Sequence, residues 1–588
     1  MKTIFVCLET GCIAKGSKEV FSELEKQIKA RKIEVVLKPT GCMGLCQEGP
    51  LVHIMPDDIT YTKVRKEDVS DIIEITIINN QPVERLIHLD KQLKKKVASK
   101  TNWSFFKKQT PLVLKKMGLI DKHSIEDYIE TGGYQSLKKA LEMQPIAIVN
   151  EVLNSGLRGR GGGGFPTGRK WLSVANQDNY PKYIICNGDE GDPGAFMDRS
   201  IMEGLPHQVI EGMIIAGYAV GANTGYIYVR EEYPSAVNNL KYAIEKAKAN
   251  NLLGNDIAGS GFDFEIFIKR GAGAFVCGES SALIKSVEGK IGEPCEKYIH
   301  AAEKGLFNKP TILNNVETFA NIPYIISDGA ESFKKMGTEK SPGTKIFSLV
   351  GKVVNTGLIE VEMGTTLREI IYDIGGGIPK NRKLKAVQTG GPSGGCIKAD
   401  NIDTAIDFDS LSALGSIMGS GGMIVMDDTT CMVEIARYFI NFLMEESCGK
   451  CTPCREGLIH VNNILTRITL GEGKLSDIAD LKMLCEYIKD SALCGLGKSA
   501  VNPVLSTLNN FEDEYIEHII NHRCPAGICK KLTTFSIDQE ICRNCGLCMQ
   551  KCPFNAINLI DNQYYIDELI CTKCGICRSV CPANAIFA

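Results

Sequence analysis

The sequence is short of every feature that would send it out of the cell or into a membrane. No apolar run approaches the roughly 18 residues needed to cross a bilayer. Met213–Ala222, ten residues, is among the longest. Met1-Lys2-Thr3 carries one charge, and the apolar run Ile4–Leu8 ends at Glu9, too early for a signal segment, so a cytoplasmic location is expected. Neither sign of charge dominates. The 67 Lys and Arg against 70 Asp and Glu leave a net charge of −3, which gives no broad attraction to nucleic acid or an anionic lipid surface. With 44% hydrophobic and 23% charged residues, the chain is neither disordered nor fibrous, and 588 residues imply several domains.

Cysteine, by contrast, is abundant: 24 residues. A disulfide framework requires a small secreted domain, so clustered thiols in a reducing compartment point to metal. The strongest pattern lies in the last 54 residues, an internal repeat. Cys542, Cys545, Cys548 and Cys552-Pro553 form C-x2-C-x2-C-x3-C-P, and Cys571, Cys574, Cys577 and Cys581-Pro582 repeat it. This is the spacing of two-cluster ferredoxins, in which the fourth cysteine of each run closes the other site. One [4Fe–4S] cluster is therefore expected on Cys542, Cys545, Cys548 and Cys581, and a second on Cys571, Cys574, Cys577 and Cys552. Paired zinc ribbons are the alternative, and their knuckle spacing fits less well. A third [4Fe–4S] site is expected from Cys448, Cys451 and Cys454 with a distant fourth ligand. Cys494 is the best candidate because it lies at an apparent helix end; a structural zinc is the alternative. In the first 90 residues, Cys7-x4-Cys12 and Cys42-x3-Cys46 each follow a β-like run and could meet at one end of a sheet. Four thiolates there suit [2Fe–2S], with zinc or separate buried thiols as alternatives on spacing alone. Cys524 and Cys529 are left as a pair, which His518 and Cys485 could complete as a zinc site. His522 competes with His518, because a four-residue step puts both on one helix face. Two structural thiols at a linker are the simpler alternative.

Texture divides the chain. Residues 1–90 mix β-like runs with an amphipathic helical run, Lys18–Arg31. Lys91–Lys100 is a basic connector, expected as a solvated helix face. Residues 101–335 alternate β-like and helical segments, 340–425 show short strands around turns in a β-grasp-like pattern, 430–530 carry helical periodicity, and 535–588 hold the repeat. The α/β region contains Gly156-Leu-Arg-Gly-Arg-Gly-Gly-Gly-Gly-Phe-Pro-Thr-Gly-Arg-Lys-Trp171, with six glycines in nine residues. Such backbone approaches a phosphate closely, and Arg160 and Lys170 offer positive charge. No strand runs directly into a G-x-G-x-x-G turn, so it is not the dinucleotide fingerprint. Asn187-Gly-Asp-Glu-Gly-Asp-Pro-Gly194 offers amide and carboxylate groups just after a strand. Gly271-Ala-Gly-Ala-Phe-Val-Cys-Gly-Glu-Ser-Ser-Ala282 is a second glycine-rich turn opening a helix, and Asn314-Asn315 follows Pro310.

These loops, together with Ser-Cys-Gly-Lys-Cys-Thr-Pro-Cys-Arg around Cys448, resemble the NADH-oxidising flavoprotein subunit of respiratory complex I over residues 110–510. With the extra modules at both ends, nearly the whole chain is similar to the flavoprotein (beta) subunit of electron-bifurcating [FeFe]-hydrogenases. The resemblance implies a multidomain α/β and α+β protein: a thioredoxin-like [2Fe–2S] module, a Rossmann-like FMN and NAD(P) domain, a β-grasp (SLBB) module, a helical [4Fe–4S] domain and a C-terminal 2[4Fe–4S] ferredoxin domain. It implies FMN, with Gly159, Arg160, Gly161, Gly162 and Lys170 around its phosphate and ribityl chain. Asn187, Asp189, Glu190, Asn314 and Asn315 stand beside the flavin, and Phe165, Gly278, Glu279, Ser280 and His300 complete the cofactor contacts. The departures from the complex I pattern cluster on the adenosine half: Ser280 replaces the second of two glutamates, Ser173 replaces a phenylalanine, and the adenine-holding phenylalanine falls near His300. Losing a carboxylate that would repel a 2′-phosphate leads to an expected preference for NADP over NAD. Two like charges about 4 Å apart cost on the order of 4 kcal/mol at a surface-like dielectric. A nicotinamide gives a hydride, iron–sulfur clusters take single electrons, and only a flavin in this inventory stands between them. The chain shows no sign of a domain for hydrogen or formate chemistry. The implied partners are an [FeFe]-hydrogenase catalytic subunit, a small thioredoxin-like [2Fe–2S] subunit and ferredoxin, with a formate dehydrogenase or a complex I-like dehydrogenase as the alternative setting.

Overall fold

The computed structural model describes residues 1–296 and 300–587, in two compact units. The first comprises Met1–Asn381, Val387–Gly394 and Ala399–Val425; the second comprises Arg382–Ala386, Gly395–Lys398 and Met426–Ala588.

The first unit opens with a four-stranded sheet, order β2-β1-β3-β4, from β1 (Lys2–Cys7), β2 (Val35–Thr40), β3 (Val52–Met55) and β4 (Ile59–Tyr61). The expected amphipathic run is the helix Ser17–Arg31, which buries Val20 and Leu24 against this sheet's core. Lys91–Lys100 is not a helix face. It forms the hairpin β5 (His88–Asp90) and β6 (Lys95–Val97). The Asp90 carboxylate accepts the N–H groups of Gln92 and Leu93, both at 3.0 Å, and so starts the reversal. Lys94 completes it at φ 51°.

A parallel sheet follows, order β10-β7-β8-β9, built from β7 (Tyr183–Gly188), β8 (Thr224–Arg230), β9 (Glu265–Gly271) and β10 (Thr311–Asn315). Its covering helix Pro206–Val220 is buried on nearly all sides, as expected of one apolar all round. Gly212 allows it to meet the helix Val316–Asp328, since a Cβ there would fall 2.1 Å from the Phe319 carbonyl oxygen. Next comes a mixed sheet with, in order, Gly357–Glu362, Thr344–Gly351 and Gly422–Asp427, the first pair antiparallel and the second parallel. Lys345, on its second strand, sends a fully buried ammonium to the buried Glu317 carboxylate and to the carbonyls of Ile346 (2.8 Å) and Ser420 (2.7 Å).

From Met432 to Ile519 the second unit is helical, with helices Met432–Glu445, Thr452–Thr469, Ser476–Ser491 and Asn502–Ile519, close to the helical periodicity of the sequence. It ends in a small module with the hairpin Ile557–Ile560 and Gln563–Ile566. No helix among the described residues is long and apolar enough to cross a membrane.

Removing one partner of a buried ion pair leaves an uncompensated charge, at a cost of about 3–5 kcal/mol. Lys345→Met is therefore expected to lower the apparent melting temperature of the chain markedly. Lys345→Met combined with Glu317→Gln should recover part of the loss, as read by differential scanning calorimetry.

Candidate flavin, nucleotide and metal sites

The parallel sheet locates the first site. Strands β8 and β9 lie on one side of β7 and β10 lies on the other, so the chain changes direction between β7 and β10. In open parallel sheets, ligands bind at such a switch point, beyond the carboxyl ends of the strands. The register sets Asn314 beside Cys186 and Asn315 beside Asn187 at those ends. The Gly156–Trp171 loop closes over them: a Cβ on Gly161 would fall 2.9 Å from the Asn315 Cβ, and Gly162 and Gly164 take φ values of 118° and 59°. Lys170, on the helix Thr167–Ala175, donates to the Leu313 carbonyl at 2.6 Å and to Asn314 Oδ1 at 3.1 Å. The Asn314 side-chain nitrogen is buried and has no hydrogen-bond partner. An orphaned donor, a lysine and a close glycine backbone are a set that suits a phosphorylated flavin. Asn187 Nδ2 donates to the Gly278 carbonyl at 3.0 Å, tying the second glycine loop to the end of β7. The Asp189 N–H donates to Asn187 Oδ1, and its carboxylate meets Arg230 at 3.4 Å. Phe165 is 55% exposed on the loop.

Several charged residues expected near the cofactor hold backbone instead. Arg160 is fully buried and donates to the carbonyls of Arg158 (3.1 Å) and Pro342 (2.7 Å), while its N–H donates to Thr318 Oγ1. Burial lowers its pKa to about 10. The Glu190 carboxylate caps the helix Met197–Gly204 by accepting the N–H groups of Asp198 and Arg199, both at 3.1 Å, and burial pushes its pKa up. Glu279 caps the helix Ser280–Val287 through the N–H groups of Ser281 (2.9 Å) and Ala282 (3.1 Å). Asn315 donates to Asp198 at 2.5 Å and caps the helix Val316–Asp328 through the Glu317 N–H. Asp192, inside the acidic loop but carrying no sequence signal of its own, accepts from Ser420 Oγ at 2.9 Å.

On the adenosine side, Ser280 is half-buried and donates to Glu279 at 3.1 Å. Lys285 and Lys290 are paired with Glu293 and Glu288, at 3.1 and 2.7 Å. Arg169 and His300 are exposed. Lys297–Ile299, within the segment that carries the adenine-side departure, lie outside the described residues.

The thiols converge in groups. Cys7 ends β1, paired with Thr40 at the end of β2, and Cys42 follows two residues later. Cys42 and Cys46 are 3.5 Å apart, sulfur to sulfur. The Cys7 pKa is raised first by its hydrogen bond with Cys12 and then by burial, and that of Cys42 first by Cys46, with Cys7 also contributing. Cys454 is raised to about 11, by burial and then by Cys451, Cys494 and Cys448, so those four thiols also share one neighbourhood. In the last module, Cys542, Cys545, Cys548 and Cys581 line one cavity of about 350 Å³. Cys552, Cys571, Cys574 and Cys577 line another of about 310 Å³. These are the crossed sets read from the repeat.

The fifth group differs from expectation by one residue. Cys431, His518, Cys524 and Cys529, all buried, bring their ligand atoms within 4.8 Å of one another. Cys485 is buried within the helix Ser476–Ser491 and is not among them, and His522 is exposed. Cys431 stands alone in the sequence, and only the packing of the helix it caps, Met432–Glu445, brings it in. The sulfurs of Cys431 and Cys529 are 3.8 Å apart, and each is 3.4 Å from His518 Nε2. Tetrahedral zinc, at its usual bond lengths, requires about 3.8 Å between sulfurs and about 3.5 Å between sulfur and nitrogen. His518 Nδ1 donates to the Glu514 carbonyl at 2.6 Å, leaving Nε2 to face the thiols. Hydrogen bonds from Cys431 and then Cys529 hold Cys524 far below the usual thiol range. Burial opposes charge on His518, but the Cys524 thiolate outweighs it and its pKa rises.

Comparison with known proteins agrees with this inventory. Residues 152–324 match the Nuo51 FMN-binding domain, and residues 434–518 match the iron-sulfur binding region of NADH-ubiquinone oxidoreductase-F. Residues 1–76 match the thioredoxin-like [2Fe–2S] ferredoxin, 346–397 the SLBB domain and 541–586 a 4Fe–4S dicluster domain. The chain is 54% identical over 452 residues to the HndC subunit of the NADP-reducing hydrogenase of Solidesulfovibrio fructosivorans, covering 77% of this chain and 92% of that one. It is 46% identical over 416 residues to an NADH-quinone oxidoreductase chain of Rhizobium meliloti, the F 2 subunit, covering 71% and 99%. An NAD+-reducing [NiFe]-hydrogenase in the H2-reduced state aligns with a TM-score of 0.63 at 27% identity, over 89% of this chain and 85% of that one. Fold and site thus define an NAD(P)-dependent oxidoreductase subunit with FMN and iron–sulfur domains. The chain belongs to the complex I-like flavoprotein family that includes HndC and the Rhizobium meliloti oxidoreductase chain.

Proposed function

We propose that this chain is the diaphorase subunit of a cytoplasmic electron-bifurcating hydrogenase, coupling hydrogen to ferredoxin and NADP. The observation that carries the reading is a flavin crevice in a chain that also holds four thiol groups suited to iron–sulfur clusters. The hydrogenase relatives support the setting. The partners are an [FeFe]-hydrogenase catalytic subunit, a small thioredoxin-like [2Fe–2S] subunit and ferredoxin. FMN bound there would supply the chemistry that links the two electrons of one hydride to single-electron transfer. Lys170, Asn314 and the Gly159–Gly162 backbone hold its phosphate and ribityl chain, and Asn187 and Asp189 order the turn beside its ring. Purification of the native complex with identification of its subunits tests the reading. A complex that lacks a hydrogenase subunit would sink the assignment.

On this reading one [2Fe–2S] cluster belongs to Cys7, Cys12, Cys42 and Cys46. Three [4Fe–4S] clusters go to the Cys448, Cys451, Cys454 and Cys494 set and to the two crossed sets. Anaerobic iron analysis is expected to give about 14 iron atoms per chain. A value near eight would remove the N-terminal or the Cys448 centre.

Cys431, His518, Cys524 and Cys529 are the proposed zinc ligands. One zinc per chain is expected by mass spectrometry of metals. Cys431→Ser should lose it, whereas Cys485→Ala should keep it; the reverse pattern would restore the sequence-based ligand set.

The expected preference for NADP rests on Ser280. The neighbouring Glu279 carboxylate is engaged in capping, so position 280 is where an added acid would meet a 2′-phosphate. Ser280→Glu is expected to lower the kcat/KM ratio of NADPH to NADH by at least about tenfold in diaphorase assays. An unchanged ratio would mean that this side chain does not face the ribose.

A further inference from the structure

The basic hairpin after the first sheet is held firmly. Its strands pair in the register His88 with Val97, Leu89 with Lys96 and Asp90 with Lys95. Its flanks join β4, with the Thr60 N–H donating to the Ala98 carbonyl at 2.8 Å and the Thr62 N–H to the Leu86 carbonyl at 2.9 Å. The Trp103 ring packs on His88 at 4.3 Å between centroids, and its indole N–H donates to the Val97 carbonyl at 2.8 Å. On this fixed backbone, Lys91, Lys94, Lys95 and Lys96 are all exposed. Among the described residues, none of the four forms an ion pair; the Lys96 ammonium donates instead to the Glu84 carbonyl. Leu89 and Leu93, 56% and 37% exposed, lie among them.

A solvated charged face has no need of exposed leucines or of a stapled backbone. Cations interleaved with apolar side chains on a rigid support fit an interface with an acidic protein, which the charges steer and the leucines seat. The hairpin also leads directly to the N-terminal thiols. Lys100 lies four residues beyond Lys96, at most about 14 Å of extended chain. Its ammonium lies 3.2 Å from where a Cβ on Gly118 would stand, beside Met43, and it interacts electrostatically with Cys7 and Cys42.

We infer that the Lys91–Lys96 hairpin is the docking surface for a small acidic iron–sulfur carrier protein that exchanges electrons with the N-terminal centre. The exchange is one electron, out of the carrier's reduced cluster and into this centre, with no change of bonds or protons. The inference deepens the proposed function and rests on its reading of Cys7, Cys12, Cys42 and Cys46 as an iron–sulfur centre.

The test uses the full metal-loaded chain and an acidic 2[4Fe–4S] ferredoxin as probe, with binding measured by titration calorimetry at low and high ionic strength. Lys94→Glu with Lys95→Glu is compared with Lys138→Glu and Lys241→Glu, which make the same change of net charge at exposed positions elsewhere. The hairpin variant should weaken binding by at least about tenfold at low salt. The control should change it little, and wild-type binding should weaken as salt rises. The [2Fe–2S] electron paramagnetic resonance signal should be the same in all three proteins, which separates lost docking from lost folding. Equal binding by the hairpin variant, or an equal loss in the control, overturns the surface. A wild-type chain without that signal but with hairpin-dependent binding overturns the iron–sulfur reading of the four thiols and leaves the surface standing.

Discussion

The parallel pairing of β7 with β10 is the constraint on which the flavin crevice depends. It sets Asn187 and Asn315 side by side and places Asn314 within reach of Lys170. Two strands distant in sequence thereby present their amides at one edge, where the change of chain direction leaves a crevice. Everything around it preserves that register. Below, a buried helix meets its neighbour closely because Gly212 has no side chain. Above, the glycine loop can rest on Asn315 only because position 161 has none either.

The charges near this crevice follow from the cost of burying them. An unpaired buried charge is so unfavourable that it must find hydrogen bonds or a counter-ion. Arg160, Glu190 and Glu279 find them in backbone groups, and Lys345 finds Glu317. These residues consequently fix loops and helix ends. At the crevice they leave neutral amides, main-chain N–H groups and Lys170. A cradle of this kind selects by shape and hydrogen bonding, and its rigidity comes from the charged residues behind it.

What could be read from the sequence depended on how local the determining contact was. Three cysteines at three-residue steps can hardly avoid meeting one site, and the crossed fourth ligand follows from chain geometry. The two cavities of the last module contain those sets. The α/β character of residues 101–335 was visible as β-like stretches between helical segments, and the glycine loops as loops. The fifth group was only half legible. His518, Cys524 and Cys529 lie close in sequence, but Cys431 is 87 residues from His518 and arrives through helix packing that no spacing encodes. The basic connector misled for the opposite reason: a run of lysines has no periodicity to separate helix from strand, and the Asp90 turn decided it. The same limit applies to Arg160, whose charge is evident in the sequence but whose hydrogen bonds to the Arg158 and Pro342 carbonyls are not.

The thiol groups also differ in how they are prepared for metal. Around Cys7 and Cys42, neighbouring thiols and burial both favour the protonated form. Loading those sites must displace protons, so the affinity of the chain for iron rises with pH and the local fold gains from the metal. The group at Cys431 is arranged otherwise. Hydrogen bonds from Cys431 and Cys529 lower the Cys524 pKa, and Cys524 in turn raises that of His518, so charge on each favours charge on the other. The Cys431 and Cys529 sulfurs and His518 Nε2 stand at tetrahedral spacing, with the imidazole oriented by the Glu514 carbonyl. The thiols of Cys7 and Cys42 have instead the Lys100 ammonium, which interacts electrostatically with both.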